Sequence, residues 1–221
     1  MTTFKVELHC HTYHSDDSLM LPEQIVKLCS QRKLDRIAIT DHNTIAGALE
    51  TAELAPDLVI IGEEILTTEG EILGYFMTKE VPAGLAPIEV ISRLEDQGAV
   101  ISVSHPFDRT RSGKWKDETL AALIPELDMI EVLNARTWTD QPNLEATELA
   151  MQGGLPGVAG SDAHTPMEVG RATLIMPAFD DAASFRSALQ DSRIEGRRSI
   201  PLVHLTSRYA VWRKRHGWKR P

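Results

Sequence analysis

The chain has 221 residues, 42% hydrophobic and 25% charged, with a formal net charge of −9 and two cysteines. That length suits one α/β barrel slightly below the usual barrel size and excludes nothing of an ordinary enzyme core. Two cysteines in no framework spacing, no apolar run approaching a membrane span and no basic-then-apolar leader exclude a disulfide scaffold and a membrane protein, so a cytoplasmic location is expected.

In chain order, the first predicted strand, Val6-Glu7-Leu8, runs into His9-Cys10-His11. Residues two apart on a strand share a face, so His9 and His11 point one way and Cys10 the other, with Val6 and Leu8. Pro22 opens a predicted helix to Arg32. Ile37-Ala38-Ile39 forms the next strand and leads to Asp41-His42, of which only one member faces inward on an extended backbone. His42 is expected to face inward, with Asp41 orienting it or accepting a proton. Asn43 and Thr44 are plausible caps for a helix to Leu54.

Leu58 to Ile61 precedes Gly62-Glu63-Glu64, and the segments Ile65–Glu69 and Glu71–Phe76 around Gly70 read as a hairpin inserted into the repeat. A helix at about 86–97 and a strand at about 99–104 lead to His105-Pro106. A helix at 117–123 and a strand at 129–133 lead to Asn134 and Arg136. A helix at 143–152 and a strand at 156–161 lead to Asp162 and His164, with a strand at 172–176 and a helix at 182–190 after them. Without the hairpin this makes seven strands. No linker, repeat or low-complexity tract interrupts the chain, so one domain over 1–221 is expected.

Residues 193–221 carry nine Lys or Arg against one Glu, a net of +8, leaving −17 on the other 192 residues. Leu202, Leu205, Tyr209, Trp212 and Trp218 are interleaved with these cations, so the segment is expected to pack on the acidic body as a terminal helix. Contact with phosphate or a nucleic acid backbone is the competing role. His14, His204 and His216 lie outside every motif. His14 is read as a loop residue, the other two as structural or surface groups.

Every polar cluster thus follows an apolar run, which places imidazoles and carboxylates at the carboxyl ends of strands, where α/β folds build their sites. Such donors hold zinc, manganese or iron. The ordered set of His9-x-His11, Asp17 and Pro22-Glu23, Thr40-Asp41-His42, Gly62-x-Glu64, Ser104-His105-Pro106 and Ser161-Asp162-Ala163-His164 resembles the PHP family of metal-dependent phosphoesterases over about Phe4 to Arg171.

The resemblance implies a distorted seven-stranded β/α barrel, here with a hairpin insertion and a helical tail, holding two or three divalent ions and hydrolysing phosphate esters by water attack. Carried over by position, the metal ligands are His9, His11, Asp17, His42, Glu64, His105, Asp162 and His164. The count back from Pro22 favours Asp17 over Asp16, and the glycine spacing favours Glu64 over Glu63. Asn134 stands where some members have a further His, so the third ion is the one in question. Two ions would bring the pKa of a shared water towards neutrality, and Asp162 is expected both to ligate and to accept its proton. Arg136 and Arg171 are candidate phosphate clamps, with Arg109 and Arg111 weaker ones. The expected substrate is a small phosphomonoester, a nucleotide or a metabolite phosphate. A short oligonucleotide diester is the alternative, and a metal-dependent binding module without turnover the third reading.

Overall fold

The computed structural model describes residues 2–111 and 113–220. Nine strands and seven α-helices alternate along them: β1 (Thr3–Glu7), α1 (Pro22–Arg32), β2 (Arg36–Ile39), α2 (Ala46–Leu54), β3 (Val59–Leu66), β4 (Glu71–Tyr75), α3 (Pro87–Glu95) and β5 (Val100–Val103). There follow α4 (Asp117–Leu123), β6 (Met129–Asn134), α5 (Gln141–Gly153), β7 (Gly157–Gly160), β8 (Ala172–Pro177), α6 (Ala182–Leu189), β9 (Arg193–Gly196) and α7 (Val203–Arg215). No described helix is long and apolar enough to cross a membrane.

The strands form one sheet in the order β7-β6-β5-β4-β3-β2-β1-β8-β9. Past its last residue, β1 continues as Cys10, which bridges Ala163 beyond β7, with His11 N donating to Ala163 O at 2.9 Å and Ala163 N to His9 O at 3.1 Å. This bridge brings the two ends of the β7-to-β1 series together into a nearly closed barrel. β8 and β9 extend the sheet antiparallel from the other end of β1.

The strand count of seven is therefore corrected to nine. The predicted hairpin is no appendage. β3 runs unbroken from Val59 through Glu64 to Leu66, and β4 returns antiparallel between β3 and β5, pairing Glu64 with Leu73 and Leu73 with Ser102. β9, with all four residues exposed, has no apolar run to announce it.

Side-chain patterning explains the layers. Val6, Leu8, Ala38, Ile60, Leu73, Val100 and Met129 form one cluster drawn from strands all round the ring, completed by Phe179 and by Phe185 of α6, whose rings meet edge-on at 4.9 Å. Outside the ring, Ile25 and Cys29 of α1 pack with Ile37 and Ile39, and Val90, Ile91 and Leu94 of α3 pack with Ile72 and Ile101. Cys10 belongs to this outer α1 layer and not to the cluster of Val6 and Leu8. Regular β1 ends at Glu7, and the expected alternation fails across Leu8 and His9. Pro22 and the Gln24 side chain, accepting from Leu21 N at 3.1 Å, start α1 where predicted. Thr44 Oγ1 accepts from Ala46 N at the start of α2, but Asn43, at φ 56°, instead accepts from Leu66 N at 2.8 Å.

Candidate metal centre

The strand order sets the side chains. His9 and His11 follow β1, His42 follows β2, His105 follows β5, and Asp162 and His164 follow β7, so these side chains converge on one end of the ring with Glu64 of β3. Glu64 is the hub. Its Oε2 lies 3.3 Å from His9 Nε2, 3.5 Å from His11 Nε2 and 3.0 Å from His42 Nδ1, and its Oε1 lies 3.0 Å from His105 Nε2. Asp162 Oδ1 is 3.8 Å from His9 Nε2 and 3.4 Å from His11 Nε2. Asp17 reaches His164 Nε2 at 2.9 Å and His42 Nε2 at 3.6 Å.

These contacts leave a polar deficit. The buried atoms His9 Nε2, His11 Nε2, Asp17 Oδ1, Glu64 Oε2, Asp162 Oδ1 and His164 Nε2 crowd one another without a well-directed hydrogen bond, though buried polar atoms are nearly always satisfied. Donor atoms around a tetrahedral ion bound at ~2.1 Å lie ~3.4 Å apart, which is the spacing found here. Within 4.8 Å of one another lie single donor atoms of three sets: His11, His42 and His164; His9, His11 and Glu64; and His42, Glu64 and Glu71. The donor set therefore fits a divalent cation.

Electrostatics say the same. Burial disfavours the charged form of His9, yet Glu64, Glu131 and Asp162 raise its pKa well above the ordinary value. His42 is pushed up to about 10 against the same desolvation, chiefly by Glu64 and then Asp17. His11 goes well below, through burial and the neighbouring His164 and His42. Burial raises Glu64 and Asp162, but His9, His42 and His105 hold Glu64 well below the usual range, and Arg111 and His9 do so for Asp162. The carboxylate charge that lifts His9 and His42 is what a bound metal cation would neutralise.

A second ring of groups holds the ligands in place. Asp41 does not face the centre. It accepts from Thr12 N at 2.7 Å, Thr12 Oγ1 at 2.6 Å and Ser15 Oγ at 2.5 Å, and Ser15 in turn meets His11 Nδ1 at 3.1 Å and His42 N at 3.1 Å. Gly47 makes this possible, since a Cβ there would lie 2.0 Å from Asp41 Oδ2. Glu131 takes His9 Nδ1 at 2.8 Å and His105 N at 2.8 Å. Such partners fix ring orientation and raise ligand basicity.

Some expected roles shift. Asp16 is exposed while Asp17 faces the cluster, and Glu63 turns away to accept from Val81 N at 3.0 Å while Glu64 turns in. Asn134 does not offer its oxygen to the centre. Oδ1 accepts from Arg136 N at 2.9 Å, and Nδ2 donates to Glu131 Oε2 at 3.0 Å and Asp162 Oδ2 at 3.3 Å. Arg136 is buried, its two terminal nitrogens bonding Ser207 Oγ at 2.9 Å, Val203 O at 3.3 Å and Asp162 O at 3.5 Å, with Nε 3.5 Å from Glu168, so its terminal nitrogens serve the protein. Arg171 donates to Arg198 O at 3.2 Å, and Arg109 is exposed. The guanidinium that reaches the centre is Arg111, on Asp162 Oδ2 and, at 3.3 Å, on Asp108.

Glu71, 3.6 Å from His105 Nε2, and Glu131 are absent from the predicted set. A signal for Glu131 exists, because a carboxylate inside the apolar run Met129 to Leu133 is costly unless it serves a site.

The C-terminal helix closes over this shell. Val203, Ser207 and Ala210 face inward, and Lys214 Nζ donates to Tyr13 O at 2.6 Å and to Ser15 O. Lys214 thereby braces the loop that carries Ser15 and Asp17. Replacing it, Lys214→Met, is expected to weaken binding of divalent cation about 10-fold, the lower end of what loss of an outer-shell partner costs. Titration calorimetry checks this, and an unchanged affinity would make Lys214 a fastener of the tail only.

Comparison with known proteins matches residues 7–110 to the PHP domain and residues 140–194 to the PHP-associated family. An uncharacterized protein of Methanocaldococcus jannaschii is 38% identical over 144 residues, 59% of this chain and 82% of that protein. Among solved structures, a two-domain protein of Bacteroides vulgatus that contains a predicted PHP-like metal-dependent phosphoesterase aligns with a TM-score of 0.73 at 22% identity, over 89% of this chain and 65% of that one. A lesion-specific endonuclease of Pyrococcus furiosus aligns with a TM-score of 0.65 at 16% identity, over 87% of this chain and 58% of that one.

Proposed function

We propose that this chain, which belongs to the PHP family of metal-dependent phosphoesterases, hydrolyses a small phosphomonoester, a nucleotide or a metabolite phosphate. The observation that carries the reading is the set of six buried donor atoms without a well-directed hydrogen bond that face one another from β3, the ends of β1 and β7 and the loop after β1. An apolar filling would be more stable, so a metal centre is the economical reason for them. His9, His11, Asp17, His42, Glu64, His105, Asp162 and His164 hold manganese, zinc or iron, two or three ions in all, with Glu71 as an added donor. When bound, such ions supply Lewis acidity to the phosphoryl oxygens and lower the pKa of the attacking water.

The protein's own groups do the rest. The Asp162 carboxylate receives the proton of the attacking water while its Oδ2 stays oriented by Asn134. Arg111 stands beside the carboxylates and takes the phosphate-binding role expected of Arg136, Arg171 and Arg109, whose donors point elsewhere or lie at the surface. Its planar fork matches two phosphoryl oxygens. The water oxygen bonds to phosphorus, the ester P–O bond breaks, and the proton held by Asp162 passes to the departing oxygen, so that an alcohol and inorganic phosphate leave. His42 and Asp17, about a quarter exposed at 27% and 28%, mark the side from which the ester enters.

Oligonucleotide diesters would draw on the basic tail, but Lys214 bonds backbone carbonyls and Arg220 meets Glu23 and Glu50, so those two cations serve the protein itself. Manganese-loaded protein is expected to release phosphate from p-nitrophenyl phosphate, to act far more slowly on the bis(p-nitrophenyl) diester, and to lose both activities to a chelator. Faster diester cleavage would replace the monoester reading, and inactivity on both esters after metal loading would favour a binding module.

A further inference from the structure

Trp138, in the loop between β6 and α5, is 49% exposed, an uncommon place for the largest apolar side chain. One of its faces is covered. The ring of His204, at the start of α7, lies parallel to it with centroids 4.2 Å apart and planes 7° from parallel. An aromatic ring with one face held by a partner and half its surface in water is a rigid shelf for a third ring.

The position of this shelf relates it to the metal centre. Trp138 follows Arg136 by two residues, and His204 follows Val203. The single guanidinium of Arg136 joins both elements to the site, donating to Val203 O at 3.3 Å, Ser207 Oγ at 2.9 Å and Asp162 O at 3.5 Å. Thr137 Oγ1, next to Trp138, donates to Asn134 O, and Asn134 Nδ2 reaches Asp162 Oδ2. Trp138 is further fixed through its carbonyl, which accepts from Arg198 at 2.9 Å.

We propose that the stacked Trp138–His204 pair is the subsite for the leaving group of the ester, and that this group carries a planar nucleobase. The natural substrate is then a nucleoside phosphate, with its phosphate at Arg111 and the metal centre and its base laid on the outer face of Trp138. This rests on the phosphomonoester reading and narrows it. Stacking on an aromatic face tolerates any base, so the subsite selects nucleotides over sugar phosphates and discriminates little among bases.

AMP and ribose 5-phosphate differ only by the base and provide the test. In manganese-loaded protein, Trp138→Ala is expected to raise KM for AMP about 10-fold with little change in kcat, to leave ribose 5-phosphate unchanged, and Trp138→Phe to restore most of the loss. Equal effects on the two esters, or no effect on AMP, would overturn the assignment. Calorimetric binding of the same two compounds separates this from the question of turnover. About 10-fold tighter binding of AMP than of ribose 5-phosphate, abolished in Trp138→Ala, supports the shelf even if neither ester is hydrolysed. Equal binding of the two by the unaltered protein, or no measurable binding of AMP, refutes it.

Discussion

Glu64→Gln is expected to remove at least one bound ion per chain and to lower phosphomonoester hydrolysis by about 10³-fold or more, as loss of a group that stabilises transition-state charge does. Glu64 meets four imidazoles, those of His9, His11, His42 and His105, and its Oε2 is left without a well-directed hydrogen bond. An amide of nearly the same volume keeps the packing but removes the charge and turns a donor towards rings that present donors of their own. The thermal midpoint should move little, because isosteric exchange opens no cavity. Elemental analysis together with kinetics reads both effects. A Gln variant with full metal content and full turnover would remove Glu64 from the centre.

Glu7→Ala is expected to cost about 4 kcal/mol of folding stability, among the largest effects of any single substitution here. Glu7 is completely buried, and its two oxygens accept from Ser161 N at 2.9 Å, Gly170 N at 2.9 Å, His9 N at 3.1 Å and the Ser161 hydroxyl. Truncation strands those donors at the junction where β1, β7 and the approach to β8 meet. Burial lifts the Glu7 carboxyl to about 7 even against these bonds, which shows how dry the junction is. Urea unfolding measures the cost, and a loss below about 1 kcal/mol would mean that water or a shifted backbone takes over the bonds. His9 and Asp162 flank this junction, so the variant should also bind metal poorly.

Much of the site is visible in the chain before folding. His9, His11, His42, His105, Asp162 and His164 each follow an apolar run, and strand ends gathered at one edge of a ring must bring such residues together. Other features depend on pairing, which no local pattern encodes. The alternating segment after Gly70 announces a strand, but its insertion between β3 and β5, which brings Glu71 to His105, follows from register alone. The turn of the Asn134 oxygen away from the cluster follows from the Arg136 N–H, which claims it. Arg136 looked like a phosphate clamp because it follows a strand end, yet α7, arriving 67 residues later, covers it and takes its donors. Trp138 and His204 lie in no motif at all and meet only because α7 folds back over the β6–α5 loop.

The central claim is that imidazoles and carboxylates from separate strand ends surround divalent cations. Anomalous diffraction from crystals of the protein grown with manganese tests it most directly. The account predicts at least two peaks enclosed by His9, His11, Asp17, His42, Glu64, Asp162 and His164, with Arg111 drawn off the Asp162 oxygen that it now contacts. A manganese-saturated crystal with no peak among these side chains would contradict it.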